Sequence, residues 1–260
     1  MSDEDTRQTH QRNREQYAGV ADRYATSASH ATGDDLAWFA ARAMSVVPGI
    51  AVDVACGGGF ATRALLDAGH RVVATDLTPE SVMAARGSTH SGRALGWVAA
   101  AAEALPFRAG AVPLVSCRIA PHHFADPARF VDEVTRVLAP GGLFLLVDTT
   151  VPEDDALAAW IDDVERRRDP SHVRAWPPSR WRAVLTGAGL AVDELRTFRK
   201  RHELDPWLAR SATPDDVAAD VRGRFAAATP EQRAAFVIEK DGDAVAAYTD
   251  TKVCIASRRV

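Results

Sequence analysis

Two short stretches of the chain combine residue types and spacing that can hold a nucleoside. The first is Ala51-Val-Asp-Val-Ala-Cys-Gly-Gly-Gly-Phe60, an apolar run that passes straight into three glycines. Glycine lets a backbone turn sharply and approach a ligand with no Cβ in the way. The second is Val72-Val-Ala-Thr-Asp-Leu77, whose Asp76 lies 19 residues beyond Gly57. That spacing suits a carboxylate accepting both hydroxyls of a ribose. A dinucleotide fingerprint GxGxxG fits neither way: one placing gives Ala55, Gly57 and Phe60, the other Gly57, Gly59 and Thr62. No GK[ST] follows the glycines, which excludes a P-loop. Asp53, ahead of the loop, would repel a pyrophosphate but suits a cationic amine. The combination favours S-adenosylmethionine, which carries an ammonium and a sulfonium and no phosphate.

A sulfonium methyl is already activated, so its transfer needs mainly alignment and exclusion of water. An oxygen or carbon-acid acceptor also needs a base. Two segments offer one. Cys117-Arg-Ile-Ala-Pro-His-His-Phe124 supplies His122 and His123, which as neighbours divide between the pocket and the next helix start. Arg168-Asp-Pro-Ser-His-Val-Arg174 supplies His172, with Asp169 to orient it or cap a turn. No third ligand is placed beside the histidine pair, so no metal is expected. Trp176, Trp181 and Trp207 read as core or lid residues, one of them lining an apolar acceptor pocket. The charge run from Glu165 to Asp169 reads as a solvated helix end.

The elements that must position these groups alternate. Apolar strands are expected at Ile50–Val54, Arg71–Thr75, around Trp97, at Leu114–Ile119 and at Leu143–Val147. Between them fall helices: Ala61–Ala68, one started by Thr78-Pro79, and one started by Asp126-Pro127 with Phe130, Val131, Val134, Val137 and Leu138 on a buried face. Such alternation predicts an α/β fold with a mostly parallel sheet covered on both sides. Beyond Asp148 come helices at Glu153–Arg168 and Arg180–Thr186 and a strand at Ala191–Lys200. Residues 200–248 read as a helical insertion, ahead of a closing strand at Thr251–Ser257. At the other end, Tyr17 to Met44 has helical spacing with Trp38 and Phe39 inward. The first fifteen residues read as a frayed tail. The chain divides into a tail and helical cap, 1–44, and one domain, 45–260.

Hydrophobic content of 47% and charged content of 25% are those of a globular protein. No apolar run approaches the ~18 residues of a membrane span, and the polar N-terminus carries no secretory signal. Cys56, Cys117 and Cys254 form neither an even framework nor a CxxC pair, which points to a reducing, cytoplasmic setting. A net charge of −4 advertises no nucleic-acid partner, although Arg196 to His202 forms a local basic run. The expected partner is a small molecule, and a homodimer is possible.

Four segments, Asp53-Val-Ala-Cys-Gly-Gly-Gly59, Asp76, Glu103-Ala-Leu-Pro-Phe107 and Arg136-Val-Leu-Ala-Pro-Gly-Gly142, resemble the class I S-adenosylmethionine-dependent methyltransferases in order and spacing. The branch resembled is that of the ubiquinone and menaquinone biosynthesis C-methyltransferases. Tyr17-xxx-Ala21-xx-Tyr24 is similar to that branch's N-terminal signature. The likeness covers about residues 15–150. It implies a Rossmann-like seven-stranded sheet of order 3-2-1-4-5-7-6 with its last strand antiparallel. By position it implies that Asp53 contacts the methionine amine through the loop, directly or through water. The backbone at Ala55, Gly57 and Gly59 would hold the methionine part, with Arg118 nearby. Asp76 would bind ribose, Leu77 would pack on adenine, Ala102 and Glu103 would lie beside the adenine edge, and Tyr24 would belong to a cover. Ala55 stands where the family has glycine, which suits a backbone held at φ < 0. Ala101 stands where an acid usually receives the adenine amine, which leaves adenine to packing.

The implied activity is methyl transfer to oxygen or carbon of a small apolar or aromatic metabolite. The alternative keeps the same fold and cofactor but uses S-adenosylmethionine as a charge or as a substrate. A module without turnover and an RNA methyltransferase are further rivals; the latter requires a basic groove and steep salt dependence.

Overall fold

The computed structural model describes residues 2–20, 27–89 and 92–260. It opens with helices α1 (Asp3–Ala18), α2 (Ala28–Ala31) and α3 (Asp34–Met44). The core then alternates β1 (Ile50–Val54), α4 (Phe60–Asp67), β2 (Arg71–Asp76), α5 (Pro79–Gly87), β3 (Ala94–Ala99) and β4 (Val112–Arg118). A short 3-10 turn (Pro121–His123) leads to α6 (Pro127–Val137) and β5 (Leu138–Thr150). After α7 (Asp155–Arg168), α8 (Pro178–Gly187) and β6 (Leu190–Glu203) come α9 (Leu204–Arg210), α10 (Asp215–Ala226), α11 (Pro230–Phe236), β7 (Glu239–Asp241) and β8 (Ala244–Arg259).

The sheet runs β3-β2-β1-β4-β5-β8-β6. β1 pairs in parallel with β2 and β4, and β8 runs antiparallel between β5 and β6. This is the expected order with one addition: the three-residue β7 folds back on β8 and makes an eighth strand. β5, β6 and β8 outgrow their expected lengths. Their far ends carry α9 to α11, which share a core of Trp207, Leu208, Val221, Phe225 and Tyr248 with Ile161 and Val164 of α7.

Strand alternation sorts the two main cores. Val52, Val54, Val115, Cys117, Phe144 and Leu146 face α6 and α8, where Phe130, Val134, Trp181 and Leu185 are buried. Ala51, Leu114, Leu145 and Val147 face α3 and α4, meeting Trp38, Phe39 and Leu65. Asp126 caps α6 by accepting from the Ala128 and Arg129 N–H groups, and Pro127 supplies the first helical φ.

The expected frayed tail is instead a helix. Ser2 and Asp5 close a capping box at its start, and Thr9 and Asn13 are buried on its inner face. α1 is polar throughout, so it carries no apolar stripe to betray it. Among the described residues no helix is long and apolar enough to cross a membrane.

Candidate active site

At the carboxyl ends of β1, β2 and β4 a cleft of about 1010 Å³, counting space open to solvent, runs along the glycine loop. Ligands of open α/β sheets bind at this position. Ala55, Gly57, Asp76, Leu77, Ala102, Glu103 and Arg118 all line it. The loop is built on positive φ: Ala55 at 55°, Gly57 at 48° and Gly59 at 79°. Ala55 therefore departs from the expectation of φ < 0. It keeps the left-handed turn that glycine would make, at a cost of about 1–2 kcal/mol for an L residue. Gly59 has no room for a side chain, since a Cβ there would stand 3.3 Å from Ala85 Cα of α5.

Asp76 ties the loop to β2. Its Oδ2 accepts the Gly57 N–H at 3.0 Å, and its Oδ1 accepts the N–H and hydroxyl of Thr78, each at 3.0 Å. Burial raises its pKa despite these donors. Asp53 is turned elsewhere. It lies on the Ala51 face of β1, beneath α4, and is not part of the cleft wall. Its carboxylate accepts from the Thr62 hydroxyl at 2.5 Å and the Ser116 hydroxyl at 2.7 Å. These two hydrogen bonds make Asp53 a buried brace between β1, α4 and β4. Burial pushes its pKa up to about 6 against those two hydrogen bonds. Neither Asp53 nor Asp76 has an ion pair with a basic side chain among the described residues. Arg63 lies against the loop, donating to the Gly58 carbonyl at 3.0 Å and to the Ser88 hydroxyl.

Glu103 and Arg118 reach the cleft but are engaged. Glu103 accepts from the Ala125 and Asp126 N–H groups and stands 3.2 Å from His10 Nε2. Burial works against its charge, but His10 and the backbone donors outweigh it and lower its pKa. Arg118 donates to Asp35 of α3 through Nε at 3.0 Å and Nη2 at 2.6 Å, and to the His30 carbonyl. It anchors the N-terminal cap over the cleft. Next to it Ile119 holds φ 53°, an outlier for a β-branched residue and a mark of strain at the cleft wall. Tyr24 lies outside the described residues.

The N-terminal helix supplies what sequence reading missed. His10, Asn13 and Tyr17 of α1 line the cleft, as does His30. Tyr17 Oη stands 2.7 Å from His123 Nε2, and Asn13 Nδ2 donates to the His123 carbonyl at 2.8 Å. His123 Nδ1 lies 3.1 Å from Ser171 Oγ, whose proton goes to Asp169 Oδ1 at 2.5 Å. This assigns the tautomer: His123 carries its proton on Nδ1, and Nε2 accepts from Tyr17. Burial and the adjacent His122 hold His123 neutral, and Asp169 opposes them.

A second chamber of about 540 Å³, counting space open to solvent, adjoins the cleft and shares Tyr17, His30, Ile119 and His123 with it. The three candidate histidines meet here. His122 and His123 are 4.1 Å apart between ring centres, and His172 lies 5.5 Å from His122. His122 Nδ1 stands 2.6 Å from Asp148. Burial pushes His122 down to about 3 and Asp148 up to about 7, so the contact joins a neutral imidazole to a carboxyl that keeps its proton below about pH 7. His172 is oriented by Asp162, at 2.7 Å from Nε2, and not by Asp169. Asp169 instead caps the turn at Ser171. Among the described residues no group of these side chains is arranged to hold a metal ion.

The run Glu165 to Asp169 is no solvated end: Glu165, Arg168 and Asp169 are buried beside the chamber. Nor do the tryptophans make an apolar acceptor pocket. Trp176 and Trp181 pack on each other in the core, 4.8 Å between rings. Trp207 alone reaches the chamber, with the Arg168 guanidinium 4.3 Å above its ring. Alternation along β6 also splits the expected basic run. It sends Lys200 and His202 to the chamber and leaves Arg199 and Arg201 exposed.

A methyltransferase-domain family model matches residues 52–146, which span the glycine loop, Asp76 and β5 as far as Leu146. An uncharacterized methyltransferase of Bacillus subtilis, YcgJ, is 31% identical over 220 residues, covering 84% of this chain and 87% of that protein. The chain belongs to the class I S-adenosylmethionine-dependent methyltransferases. A crystal structure of a putative methyltransferase from Bacillus halodurans superposes with a TM-score of 0.82 at 33% identity, covering 87% of this chain and 99% of that one. The methyltransferase also resembles a ubiquinone biosynthesis O-methyltransferase of Xanthomonas axonopodis, 30% identical over 167 residues, 62% of this chain and 68% of that protein. S-adenosylmethionine is the cofactor of this family.

Proposed function

We propose that this methyltransferase methylates an oxygen or carbon of a small metabolite held in the second chamber, with His123 as the base. The observation that carries the reading is the position of His123 on the wall shared by cleft and chamber, neutral and with Nε2 turned to the Tyr17 hydroxyl. When bound, S-adenosylmethionine supplies the methyl group: the acceptor–CH3 bond forms as the S–CH3 bond breaks, leaving S-adenosylhomocysteine.

The chain does the rest. Asp76 receives the ribose hydroxyls, and the backbone at Ala55, Gly57 and Gly59 lies along the methionine part. Leu77 and Ala102 pack on adenine, with Glu103 beside its edge. Asp53 acts through the loop it braces, and Arg118 by holding the cap closed. The acceptor's proton passes to His123 Nε2, directly or by way of Tyr17, and Ser171 and Asp169 stabilise the imidazolium that forms. His122 and His172, each fixed by a carboxylate, shape the acceptor's side of the chamber. The likeness to an O-methyltransferase supports oxygen as the atom methylated. Three buried free thiols, Cys56, Cys117 and Cys254, support a cytoplasmic setting.

Calorimetry with S-adenosylhomocysteine, followed by mass spectrometry of turnover mixtures, tests the reading. Binding and S-adenosylhomocysteine as the product are expected. Methylthioadenosine as the product, or no binding, would overturn it.

A further inference from the structure

The second chamber has more positive charge than its own carboxylates can match. Arg168, Lys200, Arg210 and Lys252 face it, against Glu165 and Asp250. Behind that lining Asp169 stands 4.0 Å from Arg168. Arg168 is matched by Glu165 at 3.0 Å and Lys252 by Asp250 at 2.5 Å. Lys200 donates to the Ser29 and Thr32 carbonyls and stands 3.7 Å from Asp35, a carboxylate that also serves Arg118 at 2.6 Å. Arg210 has no carboxylate partner among the described residues, and its Nε is buried with no hydrogen-bond partner. A buried, unsatisfied guanidinium N–H is costly, of order 1–3 kcal/mol or more for a charged group. An oxyanion in the chamber would relieve it. Arg is built for this, since its planar fork matches carboxylate and phosphate oxygens.

The field converges on one place. Burial first, then Arg210, Arg118, Lys200 and Lys252, drive the pKa of His30 well below its ordinary value. His30 sits on the wall that separates chamber from cleft. His122, which faces the chamber, is held neutral by burial.

We propose that the acceptor is a small metabolite bearing a carboxylate or phosphate group. Arg210 and Lys200 hold that group in the second chamber, and the atom to be methylated turns toward His123 and Tyr17. This rests on the methyltransferase reading and adds the class of acceptor. The anchor sits on α9 and β6, outside the methyltransferase-domain match at residues 52–146.

The test uses the full chain saturated with S-adenosylhomocysteine, at 0.15 M salt to screen surface charge. Benzoate, phenyl phosphate and benzamide are titrated by calorimetry. At least one of the two anions is expected to bind ten times more tightly than benzamide, and the stronger one distinguishes carboxylate from phosphate. Arg210→Gln and Lys200→Gln are each expected to remove that tenfold preference while S-adenosylhomocysteine affinity changes by less than twofold. The wild-type comparison needs no variant to fold. S-adenosylhomocysteine binding with equal affinity for benzamide and both anions overturns the anion site and leaves methyl transfer standing. A retained preference in both variants overturns the assignment to Arg210 and Lys200. Absence of S-adenosylhomocysteine binding overturns both readings together.

Discussion

Tyr17 and His123, 106 residues apart, meet at 2.7 Å across the mouth of the cofactor cleft. The contact joins the N-terminal helix to the turn after β4, and in the proposed reaction it puts a phenol proton on the path from acceptor to imidazole. Tyr17→Phe should lower kcat by about 10- to 100-fold, and His123→Gln by about 100-fold or more. S-adenosylhomocysteine affinity should stay within about twofold in both. Stopped-time assays on an active acceptor measure this, and an unchanged kcat in His123→Gln would remove the base from the scheme. Because burial keeps His123 unprotonated, kcat should not fall between pH 8 and pH 6.5 on its account.

Ala55 keeps a left-handed backbone that glycine adopts without strain. Ala55→Gly should remove about 1–2 kcal/mol of conformational cost and give back about 0.5–1 kcal/mol in chain entropy. The net is a slightly more stable protein, with Tm raised by about 1–4 °C. A lower Tm in differential scanning calorimetry would show that Ala55's methyl group does packing that outweighs its backbone.

Asp76→Asn keeps one acceptor oxygen but loses the charge. S-adenosylhomocysteine binding should weaken by at least tenfold, about 1.4 kcal/mol, and the thermal shift on adding ligand should shrink with it. Equal affinity in titration calorimetry would place the ribose elsewhere.

His122 and Asp148 tilt stability in opposite directions. Asp148's raised pKa means the folded chain holds that proton more tightly, so its contribution is present below about pH 4 and is lost as pH rises toward 7. His122's lowered pKa works the other way: its contribution is present above pH 6.5 and is lost as pH falls toward 3. In the wild type the two slopes largely cancel between pH 4.5 and 6.5. Asp148→Asn should therefore lose stability on acidification over that window, and His122→Asn should gain it, by up to roughly 1.4 kcal/mol per pH unit. Urea melts at both pH values decide it, and matching slopes in the two variants would break this account.

The glycine loop and Asp76 are readable in sequence because a strand, a tight turn and an acid at fixed spacing are local features. Asp53's direction was also readable, since alternation puts it on the Ala51 face, under α4 and away from the sheet's edge. Helix α1 was not, because the face it buries is polar. Thr9, His10, Asn13 and Tyr17 make its contacts, and hydrophobic periodicity is blind to them. Ser2 and Asp5 were the one written sign, three residues apart as a capping box requires. The second chamber was out of reach for a different reason. Its walls come from Ser29, His122, Glu165, Lys200, Arg210 and Asp250, and no spacing rule connects positions so far apart.

Helix α1 both roofs the cofactor cleft and carries the Tyr17 hydroxyl that His123 binds. Any displacement of α1 that opens the cleft also parts Tyr17 from His123. With His123 as the proposed base, an open doorway is then a disarmed enzyme, because the sulfonium is exposed to water only while the base is unassembled.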